Sequence, residues 1–542
     1  KDHTITYNYM SDLEHFKQVY AGKISKLDGV RKSPRFGDLV GIPESVKVNP
    51  NLVPLAGGQP FETLFPFKEI EVEYSDTPGN LDSKPSKETT NKTYKIPLYK
   101  SHEGESDIAN AFQYQFSRGS DEVLDKTKLI IEALNKPGYE GWDTVLTSGS
   151  SDSMNKIFSL LVDDDTTVLL EEFTYPNVFH NCYYHGGKIT KIKMNVTANR
   201  DEQGINIEYL TDLLDNFEKH FPDRKKKIVL YTISTGHNPT ALTESYEKRK
   251  LIYEICKKHG VFIIEDDPYG YLQLPVYNKE SPLENPYKTS VTINDFKKKL
   301  LVPSYVTIDD CGLVLRMETF SKVASPGFRL GFIVANKFFI SRLANINNMN
   351  NRNPSGPSQA VLNNLLNDLS VSYKKTNPQA AFIDGWINWC MKVAGEYTNR
   401  RNVLFKALYQ TEAFEKQYFK LLEPSCGMFA TVIINLLPEH IQVSDVHDKQ
   451  EKINKIKRAM DYCFCCVLEA GAVVVLGYKM TVSKEYSMER ANFFRIAFSK
   501  ASSSEEFERG AKGLSDGIVK FFEEYGTDKE RWNLSPTGLV GM

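Results

Sequence analysis

Short apolar runs rich in β-branched residues alternate with helical patterns through the middle of the chain. The strands predicted from these runs span residues 145–148, 167–170, 189–194, 228–233, 261–265, 314–318 and 331–334. Amphipathic helices are predicted at 152–162 and 207–217, and a charged helix between the fourth and fifth strands. This alternation is typical of a parallel sheet covered by helices in an α/β domain.

The pattern changes from about residue 380 onward. Long helices are predicted at 382–394, 398–410 and 504–523, and strands at 429–436, 472–476 and 492–497. Helices combined with a few strands indicate a smaller α+β domain.

Segments outside these two regions are less regular. The first 50 residues form an arm with one predicted helix at 11–24. Residues 77–95 and 274–304 are rich in Pro, Asn, Ser or Lys, so we expect the first to be an exposed loop and the second a surface insertion.

Length and charge limit the functional classes. A chain of 542 residues is too long for one ordinary core, so two or three folding units are expected. A net charge of -2, with Lys and Arg scattered among acidic residues, indicates neither a nucleic-acid nor an anionic-membrane partner.

No apolar run is long enough for a membrane span, and none has the character of a secretory signal. Asp2, Asp12 and Glu14 argue against a mitochondrial presequence, which is poor in acidic residues, so the cytoplasm is expected. The chain begins at Lys1, and Met10 is left open as another start.

The eight cysteines have no disulfide-framework spacing. Cys463, Cys465 and Cys466 fall within a predicted buried helix at 460–468. A zinc site would require a second pair of cysteines or a nearby His, and neither is present. Packed free thiols are therefore the preferred interpretation, and no metal site is predicted.

The strongest chemical signal is Lys322, which follows a predicted strand. An amine with a lowered pKa can bond covalently to an aldehyde cofactor. Thr319, Ser321 and Arg329 supply donors for a phosphate, and a Pro-Gly turn brings the arginine back to the same point. A lone lysine would more often be a solvated surface residue, but the fixed offset to Pro-Gly-x-Arg favours a functional one.

These motifs resemble fold type I pyridoxal-phosphate enzymes, and most closely the branch of fungal aromatic and 2-aminoadipate/kynurenine aminotransferases. The resemblance covers nearly the whole chain, and residues 55–60, 65–67, 265–271 and 427–429 carry it besides Lys322. It implies an α/β fold in which a large domain has a mostly parallel seven-stranded sheet between helices, with a smaller α+β C-terminal domain.

The resemblance also implies a domain division and an assembly. The segments expected are an arm at 1–50, a stretch at 51–104 contributing to the small domain and active site, a large cofactor-binding domain at 105–379 and a small domain at 380–542. The expected assembly is a homodimer with shared active sites.

The resemblance assigns roles around the ring of pyridoxal 5′-phosphate. Asp266 would pair with the ring nitrogen and keep it protonated, so that the ring can accept electrons. Tyr269 and Asn238 would hydrogen-bond the ring 3-oxygen, and Tyr175 would stack on the ring. From the residues alone, a helix-capping Asp266 and a core Tyr175 remain alternatives.

Other residues are assigned to the phosphate and the substrate. Ser150 and Ser151 open a helix whose N-terminus suits a phosphate, and Tyr114 would reach the phosphate of the neighbouring subunit. Arg495 would grip the substrate α-carboxylate, with Asn238 and Gly58 also contacting substrate. A structural ion pair is the alternative for Arg495.

Two residues depart from the pattern of the family. His237 stands where Gln or Asn is usual, and we expect it to face solvent or the substrate entrance. Ala241 stands where Gly is usual, and it is expected to be a tolerated turn variant.

The function implied is transamination of aromatic amino acids with a 2-oxo acid such as 2-oxoglutarate, with Lys322 acting as general base and then acid. Transamination of 2-aminoadipate or kynurenine is the alternative. A transcription regulator built on this fold would need an N-terminal winged helix, for which residues 1–50 are too short. A catalytically inactive relative is disfavoured because Lys322, Asp266, Asn238, Tyr269 and Arg329 are all present.

Overall fold

The computed structural model describes residues 12–31, 42–53, 55–83, 91–441, 447–483 and 487–525. Its strands are β1 (Glu69–Tyr74), β2 (Lys92–Pro97), β3 (Trp142–Thr147), β4 (Thr167–Glu171), β5 (Lys188–Ile192), β6 (Met194–Asn195), β7 (Gly204–Ile205), β8 (Ile228–Thr232), β9 (Phe262–Asp266), β10 (Val314–Thr319), β11 (Gly331–Asn336), β12 (Phe419–Leu422), β13 (Phe429–Ile434), β14 (Val475–Leu476) and β15 (Phe493–Ala497). The longer helices are Asp121–Leu134, Ser150–Leu161, Asn177–Tyr184, Ile207–Asp215, Tyr246–His259, Lys337–Asn350, Gly356–Thr376, Asp384–Tyr409, Lys449–Glu469 and Ser504–Glu524.

The large sheet has seven strands in the order β3-β11-β10-β9-β8-β4-β5. Only β11 runs antiparallel to its neighbours, so the mostly parallel sheet of an α/β fold is confirmed. Strands β8, β9 and β10 are buried along their whole length, because helices cover both faces. Each predicted run overlaps a strand of this sheet. The parallel arrangement brings the carboxyl ends of β4, β8, β9 and β10 to one edge of the sheet.

A second sheet, antiparallel in the order β12-β13-β15-β14, lies in the C-terminal part of the chain. Helices Lys449–Glu469 and Ser504–Glu524 pack with it around one apolar core, which fits the predicted α+β unit. The cysteine-bearing helix is confirmed, and Cys463 and Cys466 are buried free thiols.

Two helices predicted at 382–394 and 398–410 are in fact one helix, Asp384–Tyr409. A Cβ added at Gly395 would lie 3.1 Å from Tyr287 Cβ, so the glycine permits a close packing contact within the continuous helix. Strand β12 and the helices Lys337–Asn350 and Gly356–Thr376 were not predicted.

The loop predicted at 77–95 is wrong at residues 92–95, where β2 pairs antiparallel with β1, and its part at 84–90 lies outside the described residues. The surface insertion predicted at 274–304 is also wrong in part. Tyr277, Asn285 and Phe296 are buried, and Asn285 Nδ2 donates to the carbonyl of Gly395 at 2.8 Å, so the segment packs against the long helix.

The arm contains a helix at 12–20, and the part of that prediction at residue 11 lies outside the described residues. None of the helices in the described ranges combines the length and apolar composition that a bilayer span requires. The division of the chain at residues 50, 104 and 379 stays a prediction.

Candidate active site

A cavity of about 300 Å³ opens where the ends of β8, β9 and β10 meet the second sheet. Ten residues singled out in the sequence line it: Ser150, Ser151, Tyr175, Asn238, Asp266, Tyr269, Thr319, Ser321, Lys322 and Arg329. The topology therefore brings together side chains that are up to 179 positions apart in the chain, from Ser150 to Arg329.

Lys322 lies three residues beyond the end of β10 and is half-buried. No hydrogen bond or ion pair engages its amine within the described part of the chain. Burial, with a smaller contribution from the nearby Arg329 cation, lowers the pKa of Lys322. A lysine amine in this state is more easily deprotonated, as both a nucleophile and a base require.

Asp266 ends β9, where its Oδ2 accepts a hydrogen bond from Tyr231 Oη at 2.6 Å. Its Oδ1 is buried and has no protein partner. Burial raises the pKa of Asp266 to about 6; the Tyr231 hydrogen bond lowers it, and the charges of Asp267 and Glu171 raise it. An unpaired buried carboxylate oxygen suits a protonated nitrogen of a bound ring.

The next carboxylate along the chain has a different role. Asp267 Oδ2 lies 2.9 Å from Nη2 of the buried Arg316. Because this carboxylate is already paired within the protein, Asp266 is the one of the two left available to the cavity.

Two further side chains face Asp266 or its cavity. Tyr269 is buried, and burial followed by the charge of Asp266 raises the pKa of its phenol. Tyr175 is half-buried, and the pKa of its phenol is raised by the same two causes. Tyr175 Oη accepts from Asn177 Nδ2 at 2.6 Å, and its partly buried ring packs against an apolar core cluster of the large domain.

One end of the cavity is rich in hydrogen-bond donors. Ser150 and Ser151 begin the helix Ser150–Leu161, and Ser150 Oγ is buried without a partner. Arg329 Nη2 donates to the carbonyl of Ser148 at 3.2 Å, which places this arginine beside the helix start. Gly149 has φ +91°, and an added Cβ would lie 2.7 Å from Arg329 Nη2, so only glycine fits. Helix amides, hydroxyls and a guanidinium form a donor set that suits a phosphate.

Arg495 lies on β15 with its guanidinium 4.3 Å from the Phe429 ring centroid. Nη1 donates to Asn238 Oδ1 at 2.6 Å, whereas Nε is buried and unpaired. No carboxylate lies within 4.0 Å of it in the described ranges, so none of the described residues forms an ion pair with this guanidinium. Burial lowers the pKa of Arg495, and a buried guanidinium without a carboxylate suits an anionic ligand.

Two predicted site residues lie elsewhere. Tyr114 is 59% exposed and packs under the Arg352 guanidinium at 5.6 Å, outside this cavity. Gly58 is exposed with open space around it. A single chain therefore does not bring either residue to Lys322.

The sequence did not identify Tyr231 and Phe429 as site residues. Tyr231 holds Asp266, and Phe429 lines the cavity beneath Arg495. A tyrosine inside an otherwise apolar buried strand was the available signal for the first, because its hydroxyl needs a partner.

The expectation for His237 is wrong. The side chain is 2% exposed and hydrogen-bonded at both ring nitrogens, because the turn that carries it packs against the ends of β4 and β8.

Ala241 adopts a left-handed conformation with φ +58° and is buried. The strain of about 1–2 kcal/mol is offset by the buried methyl, worth about 0.8 kcal/mol, and by a less flexible unfolded chain. We therefore expect Ala241→Gly to change the free energy of unfolding by less than about 1 kcal/mol, measured in urea. Ala241→Val should lose about 2 kcal/mol or more, since a β-branched residue fits this region poorly. Equal stabilities for the valine and glycine variants would contradict this account.

The chain matches the family model described as aminotransferase class I and II over residues 91–514. It is 37% identical over 487 residues to aromatic amino acid aminotransferase 2 of Saccharomyces cerevisiae, covering 88% of this chain and 92% of that protein. An aromatic amino acid aminotransferase of Schizosaccharomyces pombe is 29% identical over 511 residues, covering 94% and 100%. The crystal structure of the aromatic aminotransferase Aro9 from Candida albicans superposes with a TM-score of 0.80 at 34% identity, covering 93% of this chain and 98% of that one.

Proposed function

Because the chain belongs to the class I and II aminotransferase family, we propose that it transfers the amino group of phenylalanine, tyrosine and tryptophan to a 2-oxo acid such as 2-oxoglutarate, with pyridoxal 5′-phosphate as cofactor. The observation that carries the proposal is that the unpaired Lys322 amine and the unpaired Asp266 Oδ1 open on one cavity. The names of the yeast relatives support the aromatic amino donors.

The residues present fit the cofactor. Lys322 would hold its aldehyde carbon, Asp266 its ring nitrogen, and Ser150, Ser151 and Arg329 its phosphate. When bound, pyridoxal phosphate supplies an electron-accepting ring that stabilises negative charge at the Cα of an amino acid.

The protein's own groups would then move the proton. Lys322 Nζ, with its lowered pKa, would take the proton from Cα of the amino donor as general base and then deliver it, as general acid, to the cofactor carbon that carries the amino nitrogen. Asp266 Oδ1 would keep a proton on the ring nitrogen through charge pairing. Asn238 has its acceptor occupied by Arg495, so its amide N–H groups remain available to donate into the cavity.

Arg495 would bind the substrate α-carboxylate through its planar fork. We expect Arg495→Lys to lower kcat/KM roughly 30- to 100-fold for amino donors and 2-oxo acids alike, mainly through KM, because a point charge replaces two parallel hydrogen bonds. Steady-state kinetics with each substrate measures this.

Arg400 provides a matched control for that substitution. It pairs with Glu396 Oε1 at 3.3 Å and donates to the carbonyl of Ala501 at 2.6 Å, away from the cavity. Arg400→Lys should leave KM unchanged, and an unaltered KM in Arg495→Lys would remove Arg495 from substrate binding.

The alternative donors are 2-aminoadipate and kynurenine, with the same mechanism. The Phe429 ring lines the cavity beside Arg495 and favours an aromatic donor side chain over the acidic side chain of 2-aminoadipate. Initial rates of purified holoenzyme with phenylalanine, tyrosine, tryptophan, 2-aminoadipate and kynurenine decide between them. The proposal expects the highest kcat/KM with an aromatic amino acid, and a higher value with 2-aminoadipate or kynurenine would favour the alternative.

A homodimer with shared active sites forms part of the proposal. Large apolar side chains are exposed close to Tyr114 and Gly58 in the sequence, as Leu55, Leu64 and Phe116 are 90%, 76% and 78% exposed. Exposed apolar surface of this kind often marks an interface, and a partner chain would bring Tyr114 to a phosphate. The eight free cysteines suit the reducing cytoplasm, which is the proposed compartment.

A further inference from the structure

His237 is held at both ring nitrogens inside the protein. Nε2 lies 3.1 Å from Glu171 Oε2, and Nδ1 lies 2.8 Å from Thr240 Oγ1 and 3.3 Å from the Thr240 amide nitrogen. With its proton on Nε2, the ring donates to the carboxylate and accepts both hydrogen bonds from Thr240, so every polar group of the ring is satisfied.

Glu171 fixes this ring to the large sheet. It is the last residue of β4, and its Oε1 accepts from Thr232 Oγ1 at 2.7 Å while its Oε2 accepts from the Ile233 amide at 3.2 Å. The carboxylate therefore ties the ends of β4 and β8 to the turn that carries His237.

Thr240 fixes the same turn to the second sheet. Its carbonyl accepts from Thr431 Oγ1 of β13 at 2.7 Å. Thr431 pairs with Arg495 in the register of β13 and β15, and Arg495 Nη1 donates to Asn238 Oδ1. Asn238 thus lies between two anchored residues, one facing each sheet.

Since the proposed function places Asn238 and Arg495 on cofactor and substrate, we propose that His237 is a positioning residue for both. The chain of hydrogen bonds Glu171–His237–Thr240 fixes the turn so that the Asn238 amide faces the cavity and meets Arg495 at the same time. His237 does not line the cavity, and it acts through Asn238. His237, which stands where the family usually has Gln or Asn, thus has a positioning role in this protein.

Three substitutions separate hydrogen bonding from packing. His237→Gln keeps an acceptor and an amide donor that is long enough to reach Glu171. His237→Asn keeps only an acceptor, at the position of Nδ1. His237→Leu has a similar volume but neither a donor nor an acceptor. Thr240→Val removes the Thr240 hydroxyl that bonds to His237 Nδ1.

The readouts are KM against kcat, the pH titration of the absorbance band of the lysine-bound cofactor, and amide hydrogen exchange of residues 236–242 in the apoprotein. We expect His237→Leu to raise KM roughly tenfold or more with a smaller change in kcat. Its titration midpoint should move to higher pH, because a displaced Asn238 no longer stabilises negative charge on the ring oxygen. Exchange in the turn should accelerate, His237→Gln should restore most of each property, and His237→Asn should fall between them.

Wild-type KM, midpoint and exchange in His237→Leu would overturn the proposal, and so would equal impairment of the Gln and Leu variants. If His237→Leu does not fold, Thr240→Val carries the same expectations in milder form, and its wild-type behaviour would overturn the proposal. A wild-type protein without transaminase activity would refute the proposed function, whereas the exchange readout in apoprotein would still decide on His237.

Discussion

Lys322→Ala is expected to lose transamination, with kcat reduced by at least about 10⁴-fold. Lys322 is the one lysine among the described residues that line the cavity, so no second amine could take over the covalent bond or the proton transfer. The absorbance band of the lysine-bound cofactor should vanish as well. Initial rates and spectra of the purified variant measure both effects.

Lys298 provides a matched control for this variant. It is exposed and lies away from the cavity, so Lys298→Ala should keep wild-type rates and spectrum. Circular dichroism on both variants checks that the fold is retained. Transamination by Lys322→Ala at more than a few per cent of the wild-type rate would reject the assignment.

Asp266→Asn is expected to lower kcat/KM on the order of 10³-fold, because an amide of the same shape cannot hold a positive charge on the ring nitrogen. Asp267→Asn is the contrasting variant. It weakens the buried pair with Arg316 and should cost about 2–3 kcal/mol of stability while leaving kcat/KM much closer to wild type. If the two variants lost activity equally, the assignment of Asp266 would fail.

Asp266→Asn should also stabilise the apoprotein. The pKa of Asp266 is raised from 3.8 to about 6, chiefly by burial, so between these pH values the folded chain keeps a proton that the unfolded chain has lost. Stability of the apoprotein therefore falls as pH rises through this window. Above pH 6, Asp266→Asn should raise the free energy of unfolding by at most ~3 kcal/mol, measured in urea without cofactor. At pH 4 and below the gain should disappear, and a pH-independent gain would contradict the cause given.

Much of the large sheet could be predicted because its strands are short apolar runs buried on both faces, such as β8 and β9. The proximity of Asp266 and Lys322 could be predicted because the first ends β9 and the second lies three residues beyond β10, and parallel strands bring such ends to one edge. The Pro-Gly turn after Lys322 could also be recognised in the sequence, and in the structure Arg329 lies beside the start of the helix Ser150–Leu161.

Other features depend on contacts between distant parts of the chain. Nothing near His237 in the sequence shows that Glu171 lies beside it, so a polar side chain in a turn was expected at the surface. The sequence pattern does not show that one helix runs through Gly395, because the Tyr287 side chain that packs there comes from a segment more than 100 residues away. Helix Lys337–Asn350 is rich in Asn, which weakens a helical pattern in the sequence although its apolar face is buried.

Reduction of the holoenzyme with borohydride, followed by peptide mass mapping, tests most directly whether Lys322 holds the cofactor. Borohydride fixes an aldehyde cofactor to the amine that carries it. We expect the added mass of the reduced cofactor on the peptide that contains Lys322, and none after prior treatment with an amino donor that converts the cofactor to its amine form. Labelling of a different lysine, or none in protein that transaminates, would contradict the account.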